Sequence, residues 1–195
     1  MFKNKIYLVI YLQIALVLVL ASCGEKDKEK DPRTVFKYNE AMGGISSLDP
    51  AASSNFENIW AVNQLFNGLV QMDDSLKVLP CIAKSWEISE DGLVYTFKLR
   101  SDVFFHNCDV FPGGKGRKVV AKDFVYSFNR LYDTKVSSAS TLLYNIDKQN
   151  KNTTNGFVAV NDTTFAIYLK EPFSPFLGIL TMKYFSVVPQ EAVEH

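Results

Sequence analysis

The stretch from Val94 to Arg100 alternates without a break, with Tyr95, Phe97 and Leu99 on one side and Thr96, Lys98 and Arg100 on the other. Side chains of an extended chain point alternately to opposite faces, so this pattern specifies a strand with one face in a core and one in water. Ile82 to Ile88 precedes it, and Ser89-Glu90-Asp91-Gly92 lies between. Gly92 tolerates the positive φ that tight hairpin turns require, so the two runs form an antiparallel hairpin. Such a hairpin is half apolar and needs a second layer to cover it. Phe124, Phe128, Leu131 and Tyr132 recur at helical spacing and supply one.

The same logic finds two further hairpins. Leu69 to Met72 and Lys77 to Leu79 flank Asp73-Asp74-Ser75. Phe157 to Val160 and Thr164 to Lys170 flank Asn161-Asp162, with Phe165, Ile167 and Leu169 inward. Upstream, Thr34 to Tyr38 reads as a first strand, followed by a long loop marked by Gly43-Gly44 and Asp49-Pro50. Ser54 and Glu57 have the spacing of a capping box. Ile59, Val62 and Phe66 continue that helix, and Gly68 is placed to end it in a left-handed conformation. Ser137 to Asn155 is polar with little periodicity. No repeat and no βαβ nucleotide pattern occurs, so the chain is of mixed α and β type with antiparallel hairpins.

The first residues belong to export. Lys3 and Lys5 precede a nearly unbroken apolar run from Ile6 to Leu20, which is shorter than the roughly 20 residues needed to span a bilayer. Leu20-Ala21-Ser22-Cys23 closes it. Small residues before a cysteine suit signal peptidase II, and the Cys23 thiol would take the diacylglycerol. The pattern resembles the bacterial lipobox. Residues 1–22 are read as a lipoprotein signal peptide and residues 23–33, charged and without a face to bury, as a tether. Removing residues 1–22 leaves 19 basic against 21 acidic residues. That balance argues against a nucleic-acid partner.

Chemistry-bearing motifs are sparse. Gly113-Gly114-Lys115-Gly116-Arg117-Lys118 lacks the Gly-Lys-Ser/Thr of a phosphate loop and reads as a flexible basic surface loop. His106, Cys108 and Asp109 lie too close together on one loop to form a tetrahedral shell alone, so no metal is expected. No nucleophile elbow or zinc-protease motif occurs, so no enzyme activity and no cofactor are expected. Cys81 and Cys108 stand either as two separate thiols or, in an oxidising compartment, as a pair.

A family resemblance rests on several of these segments in order. The run Ala83-Lys84-Ser85-Trp86, Asp91-Gly92-Leu93 and Tyr95 to Arg100 closely resembles the signature of the extracellular solute-binding proteins, family 5. The likeness continues through Val103 to His106, Gly116 to Val119 and Ala121 to Leu131. Ser47 to Pro50 and Leu65 to Leu69 resemble the family's first loop and helix, and Val188 to Val193 a later segment. Val120 stands where the family often has Thr or Ser, which weakens the cap of the following helix. Asn107 to Arg117 is longer than the usual turn.

The resemblance implies an α/β, two-lobed periplasmic binding protein type II fold, present here as an incomplete N-terminal portion with antiparallel hairpins and a few helices. Residues 34–80 would be the first segment of lobe I, 81–184 a hairpin-rich subdomain, and 185–195 the start of the return into lobe I. With the second lobe absent, Tyr184, Phe185, Val187 and Val188 are expected to have few partners. The implied function is a substrate-binding lipoprotein of an ABC importer. It would capture oligopeptides or dipeptides in the cell envelope, facing the periplasm or exterior, and deliver them to the permease subunits. The alternatives are another cargo, such as a nickel complex or oligosaccharide, and a non-transport surface or scaffold lipoprotein. Ligand contacts are expected on the loop after the first strand, at Asn39, Glu40, Met42, Gly43 and Gly44, with Cys23 as the membrane anchor.

Overall fold

The structure, a computed structural model, describes residues 44–195. Six strands and four α-helices are described: α1 Phe56–Leu65, β1 Val70–Met72, β2 Val78–Pro80, β3 Ala83–Ile88, β4 Val94–Leu99, α2 Ala121–Arg130, β5 Phe157–Asn161, β6 Thr164–Tyr168, α3 Phe176–Ile179 and α4 Gln190–Val193. The three expected hairpins are all present. β1 and β2 pair alone, while the other four form an antiparallel sheet in the order β3-β4-β6-β5.

Register follows from the apolar alternation. Trp86 opposes Phe97, and Ile88 opposes Tyr95. On the other side of β4, Tyr95 opposes Ile167 and Phe97 opposes Phe165. Tyr95, Phe97 and Leu99 are buried, as are Phe165, Ile167 and Leu169. A one-residue slip would turn this whole set to the other face. In β6, Thr164 and Ala166 are buried as well, so this inner strand is covered on both sides.

Helix α2 lies on the sheet with Phe124 and Phe128 fully buried. Phe128 meets Phe157, Phe165 and Phe185 edge-on, at centroid distances of 5.5, 5.5 and 5.1 Å. Each such pair adds about 0.5–1.5 kcal/mol beyond the area it buries. The loop before α1 is tied to the same helix. Arg130 forms a two-pronged ion pair with Asp49, at 2.9 and 2.5 Å.

Helix α1 departs from expectation at both ends. Its N-cap is Asn55, whose side chain accepts the Asn58 N–H at 2.9 Å, and Ser54 lies outside the helix. The register is set by Asn58, which is buried. Its Oδ1 accepts from the Ser46 N–H and its Nδ2 donates to Ser46 Oγ, both at 3.0 Å. A buried amide needs its partners more than the helix needs one particular cap. The helix ends when Phe66 turns extended, and Gly68 is not left-handed. Gly68 instead forms an antiparallel bridge with Ser186, and a Cβ there would lie 3.0 Å from the Phe185 carbonyl oxygen.

The end of the chain also differs from expectation. Phe185, Val187 and Val188 are buried rather than short of partners. Val187 N–H donates to Asn67 O at 3.0 Å, and Val188 N–H to Ser127 Oγ at 3.0 Å. The aromatic cluster around Phe128 has a place for Phe185, and that ring pulls the segment in. The polar run Ser137 to Asn155 is pinned likewise by buried Leu143 and Ile146.

Phe128→Ala should lower stability by about 3–5 kcal/mol in urea unfolding, because it empties the centre of this cluster. Val160→Ala, on the exposed end of β5, should change it by less than about 0.5 kcal/mol.

Candidate functional site

The chain leaves α3 and makes a short 3₁₀ turn over Lys183–Phe185. Phe185 is committed to the core, which draws its neighbours inward with it. Lys183 is 5% exposed. Its Nζ is buried and has no hydrogen-bond partner. The ring of Tyr184 lies 4.3 Å from the ammonium and gives it a cation–π contact. Burial pulls the ammonium down from 10.5 to about 8.

Lys183 lines a cavity of 320 Å³ between the end of α1, strand β1 and this turn. Asn63, Asn67, Gln71, Thr181 and Ser186 bring neutral polar groups, and Cys81 is the other titratable residue there. No carboxylate is among its lining residues. Burial raises the Cys81 thiol, with the Ile82 N–H and Arg100 opposing weakly. A thiol held protonated is a poor nucleophile. The Lys183 ammonium itself is closed off from this cavity as well as from bulk solvent, and the Thr181 hydroxyl donates to Gly178 O at 2.7 Å.

A second polar cluster is fully partnered. Arg117 bonds Asp123 at 2.9 and 2.7 Å and Glu191 at 2.6 and 2.9 Å. The two carboxylates raise the guanidinium further above its ordinary range, and Arg117 holds Glu191 below the usual carboxylate range. Asp123 Oδ2 also accepts the Val120 N–H at 2.8 Å, so half of a capping box survives although Val120 has no polar side chain. The loop read as flexible and basic is therefore a clamp between α2 and α4. Gly116 is buried in it, and a Cβ there would fall 1.9 Å from the Phe105 carbonyl oxygen.

Of the residues expected at a ligand site, only Gly44 is among those described. It is exposed, with φ +70° and no atom within 4 Å of a Cβ position. Asn39, Glu40, Met42 and Gly43 lie outside the described residues, as do Cys23 and the apolar run 6–20. His106, Cys108 and Asp109 are exposed, and no group of three or more potential metal ligands occurs among the described residues. Cys81 and Cys108 are free thiols. No described helix is long and apolar enough to cross a membrane. The Lys183 cavity escaped sequence reasoning because Met182-Lys183-Tyr184 looks like any surface turn. The buried stretch that follows, Phe185 to Val188, was the one available signal.

Comparison with known proteins gives a consistent family. The family model described as bacterial extracellular solute-binding proteins, family 5 middle, matches residues 77–194. A di/tripeptide-binding protein 2 from Pseudomonas aeruginosa is 31% identical over 181 residues, covering 90% of this chain and 33% of that protein. Heme-binding protein A from Haemophilus influenzae is 35% identical, covering 91% and 35%. Among solved structures, the ABC transporter-associated periplasmic binding protein DppA from Helicobacter pylori, in complex with peptide STSA, superposes with a TM-score of 0.65 at 30% identity. That match covers 77% of this chain and 30% of the other. The chain spans about a third of the length of these relatives. Its sheet and helices correspond to part of the two-lobed periplasmic binding protein fold.

The Lys183 ammonium makes a pH prediction with a definite sign. Its folded pKa of about 8 lies below the unfolded value of 10.5, so the unfolded chain holds the proton over that interval. Its cost to the fold is complete below about pH 8 and is relieved as pH rises toward 10.5. In carboxylate-free buffer, Lys183→Met should be more stable than the natural protein at pH 7, by roughly 1–3 kcal/mol. Urea unfolding should show the gap closing between about pH 8 and 10.5. Taking the difference between the two proteins removes the opposite contribution of Cys81.

Proposed function

The chain belongs to the bacterial extracellular solute-binding proteins, family 5, and on that premise we propose that it is part of the peptide-binding component of an ABC importer. The observation that carries this reading is the 31% identity to a di/tripeptide-binding protein across 90% of the chain. The fold it shares with a binding protein carrying peptide STSA supports the same reading. Capture is non-covalent: backbone groups of an extended peptide pair with exposed edges of the binding protein, and pockets receive its side chains. Importer permease subunits then receive the cargo. The heme-binding relative favours a second reading, in which the same scaffold carries a larger, non-peptide solute.

In this proposal Cys23 is lipidated after cleavage of residues 1–22, and two or three acyl chains hold the protein to a membrane, which one chain does not do stably. Residues 34–80 and 185–195 belong to one lobe and residues 81–184 to a hairpin-rich subdomain. The Gly68–Ser186 bridge supports that division, since it joins the first and last of these segments. Asn39 to Gly44 faces the ligand, where small residues let a peptide backbone come close.

Calorimetric titration of the protein at its natural length with di- to pentapeptides should give saturable binding. No heat with any peptide, together with binding of heme, a metal chelate or a sugar, would replace the peptide reading. For the anchor, Cys23→Ser should release the protein into the soluble fraction of lysed cells and abolish its labelling with radioactive palmitate. Unchanged membrane partition would mean that something other than acylation holds it.

A further inference from the structure

The chain carries two Asn-Gly pairs, Asn67-Gly68 and Asn155-Gly156. The second is the two-residue loop of a tight turn at the start of β5. Thr154 and Phe157 pair across it, exchanging N–H to carbonyl bonds of 2.9 and 3.1 Å. Asn155 and Gly156 have φ of +54° and +91°. Positive φ at both positions is what a type I′ turn demands, and Asn-Gly meets that demand at least cost. Gly156 has no substitute, because a Cβ there would run into Ile146 Cγ2. The turn therefore brings a chemically reactive pair with it. In Asn-Gly no side chain of the second residue shields its main-chain nitrogen from the asparagine's side-chain carbonyl carbon.

In the folded chain both reacting groups are occupied. The Gly156 N–H donates to Thr153 Oγ1 at 2.8 Å. Thr153 Oγ1 gives its own proton to Asn150 O at 2.8 Å, which leaves its lone pairs for Gly156. Asn155 Nδ2 donates to Asn129 Oδ1 on α2 at 2.6 Å. Asn129 is oriented for this by its own Nδ2, which donates to Val125 O at 2.7 Å. Tyr132 OH adds a further hold by donating to Asn155 O at 3.1 Å. Asn155 is exposed, so water reaches it.

We infer that Asn155-Gly156 is a self-modification site, converted to aspartate and isoaspartate through a cyclic imide, and that Thr153 gates it by holding the Gly156 nitrogen. Hydroxide takes the Gly156 N–H proton, and the nitrogen attacks Asn155 Cγ to close the ring. The Cγ–Nδ2 bond breaks, and the amide nitrogen takes a proton from water and leaves as ammonia. Water then opens the imide. Attack at Cγ gives aspartate, and attack at the main-chain carbonyl carbon gives isoaspartate. Neither product has an Nδ2–H to give Asn129, and isoaspartate adds a methylene to a turn that has no room at Gly156.

The test uses the protein at its natural length and three variants. Thr153→Val and Thr153→Ala remove the hydroxyl, and Thr153→Ser keeps it. Each is held at mildly alkaline pH, folded and in urea, and peptide mapping by mass spectrometry follows amide-to-acid conversion at Asn155 and at Asn67 separately. In urea, Asn155 should convert at similar rates in all four proteins. Folded, the natural protein and Thr153→Ser should convert it slowly. Thr153→Val and Thr153→Ala should be faster by about threefold to tenfold, the factor that losing one hydrogen bond allows. The folded rate at Asn67 should be the same in all four, because the gate is local. The inference is overturned if neither hydroxyl-free variant converts Asn155 faster than the natural protein. It is equally overturned if both speed Asn155 and Asn67 by the same factor, or if Asn155 stays intact in urea.

Discussion

The edge-on contacts of Phe128 hold the described structure together. Its ring sits on α2 and touches β5, β6 and the return segment at once, through Phe157, Phe165 and Phe185. A helix on a four-stranded sheet needs an apolar stripe that matches the sheet's inner face. Here that stripe is aromatic, and its rings reach further than aliphatic side chains would. The reach matters for Phe185, which comes from neither the helix nor the sheet. Once that ring is placed, Val187 and Val188 follow into the interior, and the Gly68–Ser186 bridge closes against α1.

That arrangement has a cost in one place. A 3₁₀ turn that delivers Phe185 to the core also carries Lys183 out of water. The other ion pairs are satisfied where they stand. Arg117 divides itself between Asp123 and Glu191, and Arg130 grips Asp49. Lys183 Nζ and Asn145 Oδ1 are the buried side-chain atoms without a hydrogen-bond partner among the described residues.

Much of the fold was legible in the sequence because it is local. The alternation of Tyr95, Phe97 and Leu99 specifies a strand face, and Asp91-Gly92 specifies its turn. The α2 stripe is readable from spacing alone. What was not legible depends on distant groups. Ser54 and Asn55 are equivalent caps by propensity, and only the buried Asn58, bonded to Ser46, selects between them. Gly68 reads as a helix stop but is needed because the Phe185 carbonyl passes 3.0 Å from its Cβ position. Gly113 to Lys118 reads as a loose basic loop until Asp123 and Glu191 are brought to Arg117. The family was legible from motif order, while the Lys183 cavity arises only when α1, β1 and the last turn meet.

The central claim is that the segment from Met182 to Val188 is folded onto the same core as the sheet and so forms a lasting wall of the Lys183 cavity. Native-state hydrogen exchange reads this directly. The Leu99 N–H, bonded to Thr163 O at 2.8 Å, reports the sheet, and the Val187 N–H, bonded to Asn67 O at 3.0 Å, reports the segment. The account predicts that both amides exchange only through the same global opening, with equal free energies and equal denaturant dependence. A Val187 amide that exchanges orders of magnitude faster, with little denaturant dependence, would mean that the segment opens by itself and the cavity has no fixed wall.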